Sequence, residues 1–276
     1  MTTLMANLFL ITLITFSTLL VTPMYFFLCN LAFLDITYTS VTSPKLICAF
    51  IMAFSTMSHL ECTIQYTFFV AFTSVEYFLL TVMSYDRYVA VCRPLHYHMV
   101  LNKRFCRLAS FIIWLGGFIF SIPISVTTSR NIYCSSNVIN HFFCDIAVLL
   151  ELSSTNTAST QNIILFEGAL FLTTCFLPTV VSYVFIINTV SKIKSLSGKH
   201  KAFSTCASHL ITVILFYSVI FTLYMMPRAS LTQNQRKLIS VLFSIVIPTL
   251  NPLVYSLRNK DVMRAFRTVI RQSTLV

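Results

Sequence analysis

The chain has 276 residues, of which 57% are apolar and only 10% charged, and its mean hydropathy is +0.81. A single water-facing core could not bury that much apolar side chain, because its own surface must still face solvent. The net charge of +11 does not mark a nucleic-acid binder, since the basic residues alternate with long apolar runs instead of lining one face. Lipid is therefore the solvent for most of this protein.

A spanning helix needs about 20 mainly apolar residues. Seven stretches qualify, at about 4–20, 25–50, 62–85, 108–127, 163–187, 205–226 and 238–256. Thr22-Pro23 ends the first, and Arg87 to Arg107 separates the third from the fourth. The polar stretch Thr127 to Gln161 precedes the fifth, Lys192 to Lys201 follows it, and Arg228 to Lys237 closes the sixth. The first span is the weakest, being barely long enough; it lacks a basic leader region and a small-residue cleavage site. No Asn-X-Ser/Thr sequon occurs.

Fourteen of the 19 lysines and arginines fall in the loops after spans 3 and 5 and in the C-terminal tail. The excess of positive charge sets those segments in the cytoplasm, the N-terminus outside and the C-terminus inside.

Ionisable groups inside a membrane are costly and mark function. Asp35 lies mid-span 2 and Glu76 mid-span 3, at similar depth, so they could share a cation, a proton or a water cluster; Glu167 lies a turn inside the outer end of span 5. On span 3, Cys62, Tyr66, Phe69, Thr73, Glu76, Leu80, Met83 and Arg87 recur at steps of three and four, on one face. His209, Val213, Tyr217, Ile220 and Tyr224 form a similar stripe on span 6. Bundle packing alone accounts for such stripes, but polar groups at several depths in an apolar helix point beyond it. The six histidines are placed in loops or at span ends, with no HExxH or GxSxG nearby, so no enzyme site or cofactor is expected. Cys62 and Cys144 face an oxidising space, and a disulfide between them would pin the long outer loop over the bundle mouth; Cys134 is an alternative partner.

Six stretches then resemble one family. They are Pro23-Met24-Tyr25-Phe26-Phe27-Leu28 with Leu31-Ala32-Phe33-Leu34-Asp35; Met83-Ser84-Tyr85-Asp86-Arg87-Tyr88-Val89-Ala90-Val91-Cys92; Pro94-Leu95-His96-Tyr97; Ser182-Tyr183; Lys201 through Leu210; and Asn251-Pro252-Leu253-Val254-Tyr255-Ser256-Leu257-Arg258-Asn259. In this order and spacing they are similar to the olfactory (odorant) receptors of the rhodopsin-like G-protein-coupled class. The expected fold is an all-α membrane protein, a seven-transmembrane helix bundle forming one domain over 1–276, with a short amphipathic helix at about 259–270. Val262, Ala265, Phe266 and Val269 recur at helical steps there, which supports that helix independently.

The resemblance implies roles for particular residues. Asp86, Arg87 and Tyr88 would be the cytoplasmic switch, with Tyr183 and Tyr255 swinging inward to support the active state. Asp35, Glu76 and Asn251 would form a polar core, and Pro252 would kink span 7. The ligand pocket would comprise Phe69, Val70, Thr73, Ser74, Glu167, Tyr217, Ile220, Phe221, Tyr224, Val241 and Ser244, a lining suited to small volatile organic ligands. Glu167, if inward-facing, favours an amine or another hydrogen-bond donor over an acid. The implied partners are a stimulatory G protein that raises cyclic AMP, the lipid bilayer of the plasma membrane, and no nucleic acid. Cys144 would pair with Cys62 and leave Cys134 alone, since Ser154 stands where the family carries a third loop cysteine.

Two further departures are expected. Asn7 matches a residue usually in the middle of the first span, so the N-terminus reads as truncated, and Ser218 replaces a glycine of span 6. The alternative reading is a truncated receptor that does not reach the surface or does not signal. An ion or proton transporter using Asp35 and Glu76 ranks lower, because no inverted repeats or paired broken helices are found.

Overall fold

The computed structural model describes residues 1–18, 20–52, 56–134, 138–225, 231–258 and 262–266, and every regular element among them is helical. The long elements are α1 (Thr2–Phe16), α2 (Pro23–Met52), α3 (His59–Cys92), α4 (Lys103–Ser129), α5 (Ala158–Ser191), α6 (Leu196–Ile220, continued by a π turn Phe221–Met225) and α7 (Gln233–Val241, a π turn Leu242–Val246, and Ile247–Arg258). Six of them are long and apolar enough to cross a membrane; α1 is shorter, 15 residues. At 1.5 Å per residue α1 reaches about 22 Å, against about 30 Å of hydrocarbon.

The helix ends differ from the hydropathy boundaries for local reasons. α1 begins at Thr2 and stops at Phe16, not near 20, because Ser17 turns extended (φ −89°, ψ 122°). α3 begins at His59 because Ser58 and Glu61 form a reciprocal cap: Glu61 N–H donates to Ser58 Oγ (3.2 Å) and Ser58 N–H to Glu61 Oε2 (3.0 Å). It runs to Cys92, past Asp86-Arg87, because those charges satisfy each other inside the protein. Thr232 and Gln235 cap α7 in the same way, and Asn102 and Ser195 start α4 and α6.

Proline explains two irregularities. Within α5 the π turn Leu172–Phe176 precedes Pro178, and within α7 the π turn Leu242–Val246 precedes Pro248. Each proline lacks an N–H and its ring crowds the carbonyl four residues back, which here falls in the widened turn. Pro252 likewise cannot bond the Pro248 carbonyl; Asn7 Nδ2 on α1 donates to it instead (3.0 Å). Thr3 and Thr249 share a second bond between the same helices at 2.6 Å.

α3 is the axle, packed against α2, α4, α5 and α6, while α7 closes the circle against α1, α2 and α6. The outer faces of α4 and α5 are apolar and exposed, as at Phe111, Leu115, Phe166 and Phe185. Water would punish those faces and lipid would not. Residues 262–266 form one further helical turn with Val262 and Ala265 buried and Phe266 edge-on to Phe9 at 5.6 Å. The remainder of the surface helix expected at 259–270 lies outside the described residues, as do Arg228 and the far C-terminal basic residues.

Candidate functional site

Polar groups gather at three depths along α3. At the inner end Asp86 and Arg87 are both buried in an apolar bundle, where an unpaired charge would be costly. Both oxygens of Asp86 are engaged: Arg87 Nε donates to Oδ2 at 2.9 Å, reinforced by Arg87 Nη2, and Tyr97 Oη donates to Oδ1 at 2.8 Å. Burial first, and then the Asp86 carboxylate, pushes the Tyr97 hydroxyl above its ordinary range. Tyr88 packs on the side of this cluster, near Tyr85 and Phe185.

Beside it, Tyr183 on α5 shares a hydrogen bond with His209 Nδ1 on α6 at 2.6 Å, their rings stacked. His209 was expected near a span end, like the other histidines. It is instead wholly buried within α6, because its imidazole finds a polar partner across the helix interface. Tyr255 is buried on α7, and Ser208 Oγ ties α6 to the Val254 carbonyl at 3.0 Å. Side chains of Lys201 and Arg258 are outside the described set.

At mid-depth Asn251 Nδ2 donates to both oxygens of Asp35, at 3.2 and 3.1 Å. Glu76 is buried on α3, which packs against α2, the helix that carries Asp35. Two neighbouring buried carboxylates cannot both hold charge without a counter-ion or a proton. Among the described residues no three His, Cys, Asp or Glu side chains are placed to hold a metal.

At the outer end the disulfide Cys62–Cys144 ties α3 to the loop, with Cα atoms 5.5 Å apart. Gln65 braces it, accepting from Cys144 N–H (3.1 Å) and donating to the Val41 carbonyl (3.0 Å). The loop then enters the bundle mouth: Phe143 stacks on Phe69 (5.0 Å between centroids), and Tyr224 Oη donates to Asp145 Oδ2 at 3.0 Å. Asp145 also caps the short helix Ile146–Leu152. A cavity of about 290 Å³ opens here, lined among others by Asp145, Glu151, Tyr224 and Arg236. Cys134 is a free, exposed thiol whose N–H donates to Ser154 Oγ at 3.0 Å.

Of the residues expected around a ligand, Phe69, Ser74, Glu167, Ile220 and Ser244 are buried, while Val70, Thr73, Tyr217, Tyr224 and Val241 are half-buried. Phe221 is a correction, because it is 60% exposed on the outer face of α6. Tyr217, Ile220 and Tyr224 follow one another at steps of three and four on the inner stripe; Phe221, four residues after Tyr217, opens the π turn Phe221–Met225, where the α-helical register no longer holds.

These features define a class: a multi-pass helical membrane protein whose polar groups face inward at several depths beneath a disulfide-pinned outer loop. The sequence carries this further. The family model for olfactory receptors matches residues 1–273. Mouse olfactory receptor 5AR1 is 42% identical over 265 residues, covering 96% of this chain and 85% of the relative. The chicken olfactory receptor-like protein COR5 is 44% identical over 269 residues, 97% of this chain and 86% of its own length. Human olfactory receptor 8D1 is 43% identical over 271 residues, with 97% and 87% coverage. The chain belongs to the olfactory receptor family.

Proposed function

We propose that this chain is a single seven-span, rhodopsin-like receptor unit that binds small volatile organic molecules between the outer halves of its helices and activates a stimulatory G protein, raising cyclic AMP. The observation that carries the proposal is the Asp86–Arg87–Tyr97 cluster. It holds a guanidinium, the group best suited to a protein partner's carbonyls and carboxylates, inside the inner end of α3. α1 completes the seven spans, the N-terminus faces outward, and the basic inner loops face the cytoplasm, in keeping with the placement of lysine and arginine.

In this reading the bonded state is the resting one. Ligand binding favours an arrangement in which the Tyr183–His209 bond breaks, the inner end of α6 moves out, and Tyr183 and Tyr255 turn toward a freed Arg87. A ligand drives this only by binding the active arrangement more tightly. Asp35, Glu76 and Asn251 couple the two ends as a polar core. The ligand leaves chemically unchanged.

The test is cyclic AMP in cells expressing the full chain, with surface copies counted by an N-terminal epitope without permeabilisation. Odorant-evoked cyclic AMP should vanish with Arg87→Ala at an unchanged surface count. Evoked ion flux in cells lacking the stimulatory G protein would favour transport through Asp35 and Glu76 and sink the proposal.

A further inference from the structure

The inner end of α4 carries a concentration of positive charge that the rest of the protein leaves unanswered. Lys103, Arg104 and Arg107 follow one another at the start of the helix, and all three are exposed. Among the described residues none of their side chains makes an ion pair. Of the chain's eight acids only Asp86 and Asp261 belong to the inner segments. Asp86 is held by Arg87 and Tyr97, and Asp261 lies outside the described residues.

Topology asks for basic residues on this side of the membrane, but not for these positions. The first turn is the positive end of the helix dipole, where a cation is disfavoured. Lys103 and Arg107, four residues apart, and Arg104 and Arg107, three apart, also repel one another across the helix surface. The same charges placed in the preceding loop would set the topology without either penalty. Two local rules broken in one place point to an anionic ligand that offsets them.

Polar contacts fix how this helix end faces. Ser110 Oγ and Trp114 Nε1 both donate to Asn30 Oδ1 on α2, at 2.6 and 3.1 Å, and the Trp114 ring lies 5.5 Å from Phe33. With that seam turned toward α2, Leu108, Phe111, Ile112 and Leu115 face outward and are exposed. The exposed stripe runs on to Ile122, about 27 Å from Arg104 at 1.5 Å per residue, close to one hydrocarbon thickness. Arg104 therefore stands at headgroup level, at the foot of a lipid-facing stripe. Lys103 and Arg107 stand beside it toward α2, the three covering an arc of about 100°.

The apolar stripe selects a lipid, and charge selects which. Three cations match the roughly −3 to −4 of two phosphate monoesters near neutral pH, whereas a headgroup of single net charge leaves two cations unanswered. Arg104 and Arg107 supply planar forks that take phosphate oxygens two at a time, and Lys103 supplies a point charge. The helix end itself is not the holder, since Asn102 Oδ1 already accepts from Phe105 N–H at 2.9 Å. We infer that Lys103, Arg104 and Arg107 form a site for an inner-leaflet lipid whose headgroup carries two phosphate monoesters, its acyl chains lying along Leu108, Phe111, Ile112 and Leu115. Of the receptor reading, the site uses only the placement of this helix end at the cytoplasmic face. Asn102 Nδ2 also donates to the Met99 carbonyl at 3.2 Å, in the short helix Tyr97–Val100 whose Tyr97 bonds Asp86. A bound lipid thus braces the turn that carries the resting cluster.

The test titrates lipid into the purified full chain in neutral detergent and counts bound copies by native mass spectrometry. The probes are a phosphatidylinositol bisphosphate, phosphatidylserine, and the water-soluble inositol trisphosphate headgroup. The bisphosphate lipid should bind at the lowest concentration. A cation near an anionic headgroup is worth about fivefold in affinity, so replacing all three by Lys103→Gln, Arg104→Gln and Arg107→Gln should weaken binding roughly a hundredfold. Lys192→Gln with Lys194→Gln, which removes two exposed cations after α5, should leave it within about twofold. Melting temperature shows that each variant is folded; if the triple variant is not, Arg104→Gln alone carries the test, at about fivefold. No preference for the bisphosphate lipid over phosphatidylserine, equally tight binding of the free headgroup, or an α4 variant that loses no more than the Lys192 and Lys194 variant overturns the inference. The readout uses neither odorant nor G protein, so those outcomes leave the receptor reading intact, and a failure of odorant-evoked cyclic AMP leaves the lipid site intact.

Discussion

Gly117 is where α4 lies closest to α3, and an added methyl there should be felt throughout the bundle. A Cβ at this position would stand 2.3 Å from Val75 Cγ2, 2.9 Å from the Ala71 carbonyl oxygen and 3.0 Å from the Val75 nitrogen. Carbon atoms in contact ordinarily sit about 3.5–4.0 Å apart. Val75 is fully buried and β-branched, so it cannot rotate away, and the other two atoms are α3 backbone. The helices must therefore part by on the order of 1 Å, an overpacking cost of about 1–3 kcal/mol. In lipid, close approach at small residues is a main source of helix association, so no hydrophobic gain compensates. Gly116 is the internal control: a Cβ there meets only Phe78 Cε2, at 3.5 Å. Thermal unfolding of detergent-solubilised receptor, followed by a thiol-reactive dye on buried Cys106, Cys175 and Cys206, reads the difference. Gly117→Ala should melt several degrees below wild type, and Gly116→Ala at or above it, since alanine is the better helix former. Gly117→Ala melting at or above wild type would refute the packing argument.

Three further outcomes follow from the geometry. Asn7→Leu should lower the melting temperature by stranding the Pro248 carbonyl, at about 1–3 kcal/mol; an unchanged melt would mean that carbonyl needs no partner. Ser154→Cys should form a bridge with Cys134, seen as one non-reduced linked peptide by mass spectrometry, because Ser154 Oγ already sits 3.0 Å from the Cys134 nitrogen; two alkylated thiols would contradict it. His141 is held below its ordinary pKa chiefly by burial, with Lys237 adding to this and Asp145 and the Phe143 carbonyl opposing it. The folded state thus favours the neutral ring, and stability should be constant above about pH 6.5 and fall as pH drops below it. His141→Gln should flatten that fall, and an equal fall in the variant would remove His141 as its cause.

Much of the fold is legible because lipid simplifies the code: apolar length marks the helices, and any acid or amide inside one must be spoken for. Asp35, Asn251 and Arg87 stand out on that ground, and the structure finds partners for all three. Cap signals such as Ser58-x-x-Glu61 also lie in plain view and place the start of α3 better than hydropathy does. Other features need three dimensions. Nothing in spacing says that Tyr97, eleven residues on, will close over Asp86, or that His209 will meet Tyr183 across two helices. By spacing Phe221, four residues after Tyr217, belongs to the inner stripe, and only the structure shows it exposed at the start of a π turn. Phe143 reaches Phe69 only because the disulfide folds the loop inward, a consequence of pairing and not of local sequence.

The central claim, that ligand occupancy outside is converted to G-protein activation inside, is tested most directly by nucleotide exchange. The purified full chain in lipid nanodiscs would be mixed with purified stimulatory heterotrimer, and guanine-nucleotide uptake followed with and without an odorant that binds it. The account predicts that agonist accelerates uptake and that Arg87→Ala abolishes the acceleration. Uptake unchanged by an agonist that demonstrably binds the chain would contradict it.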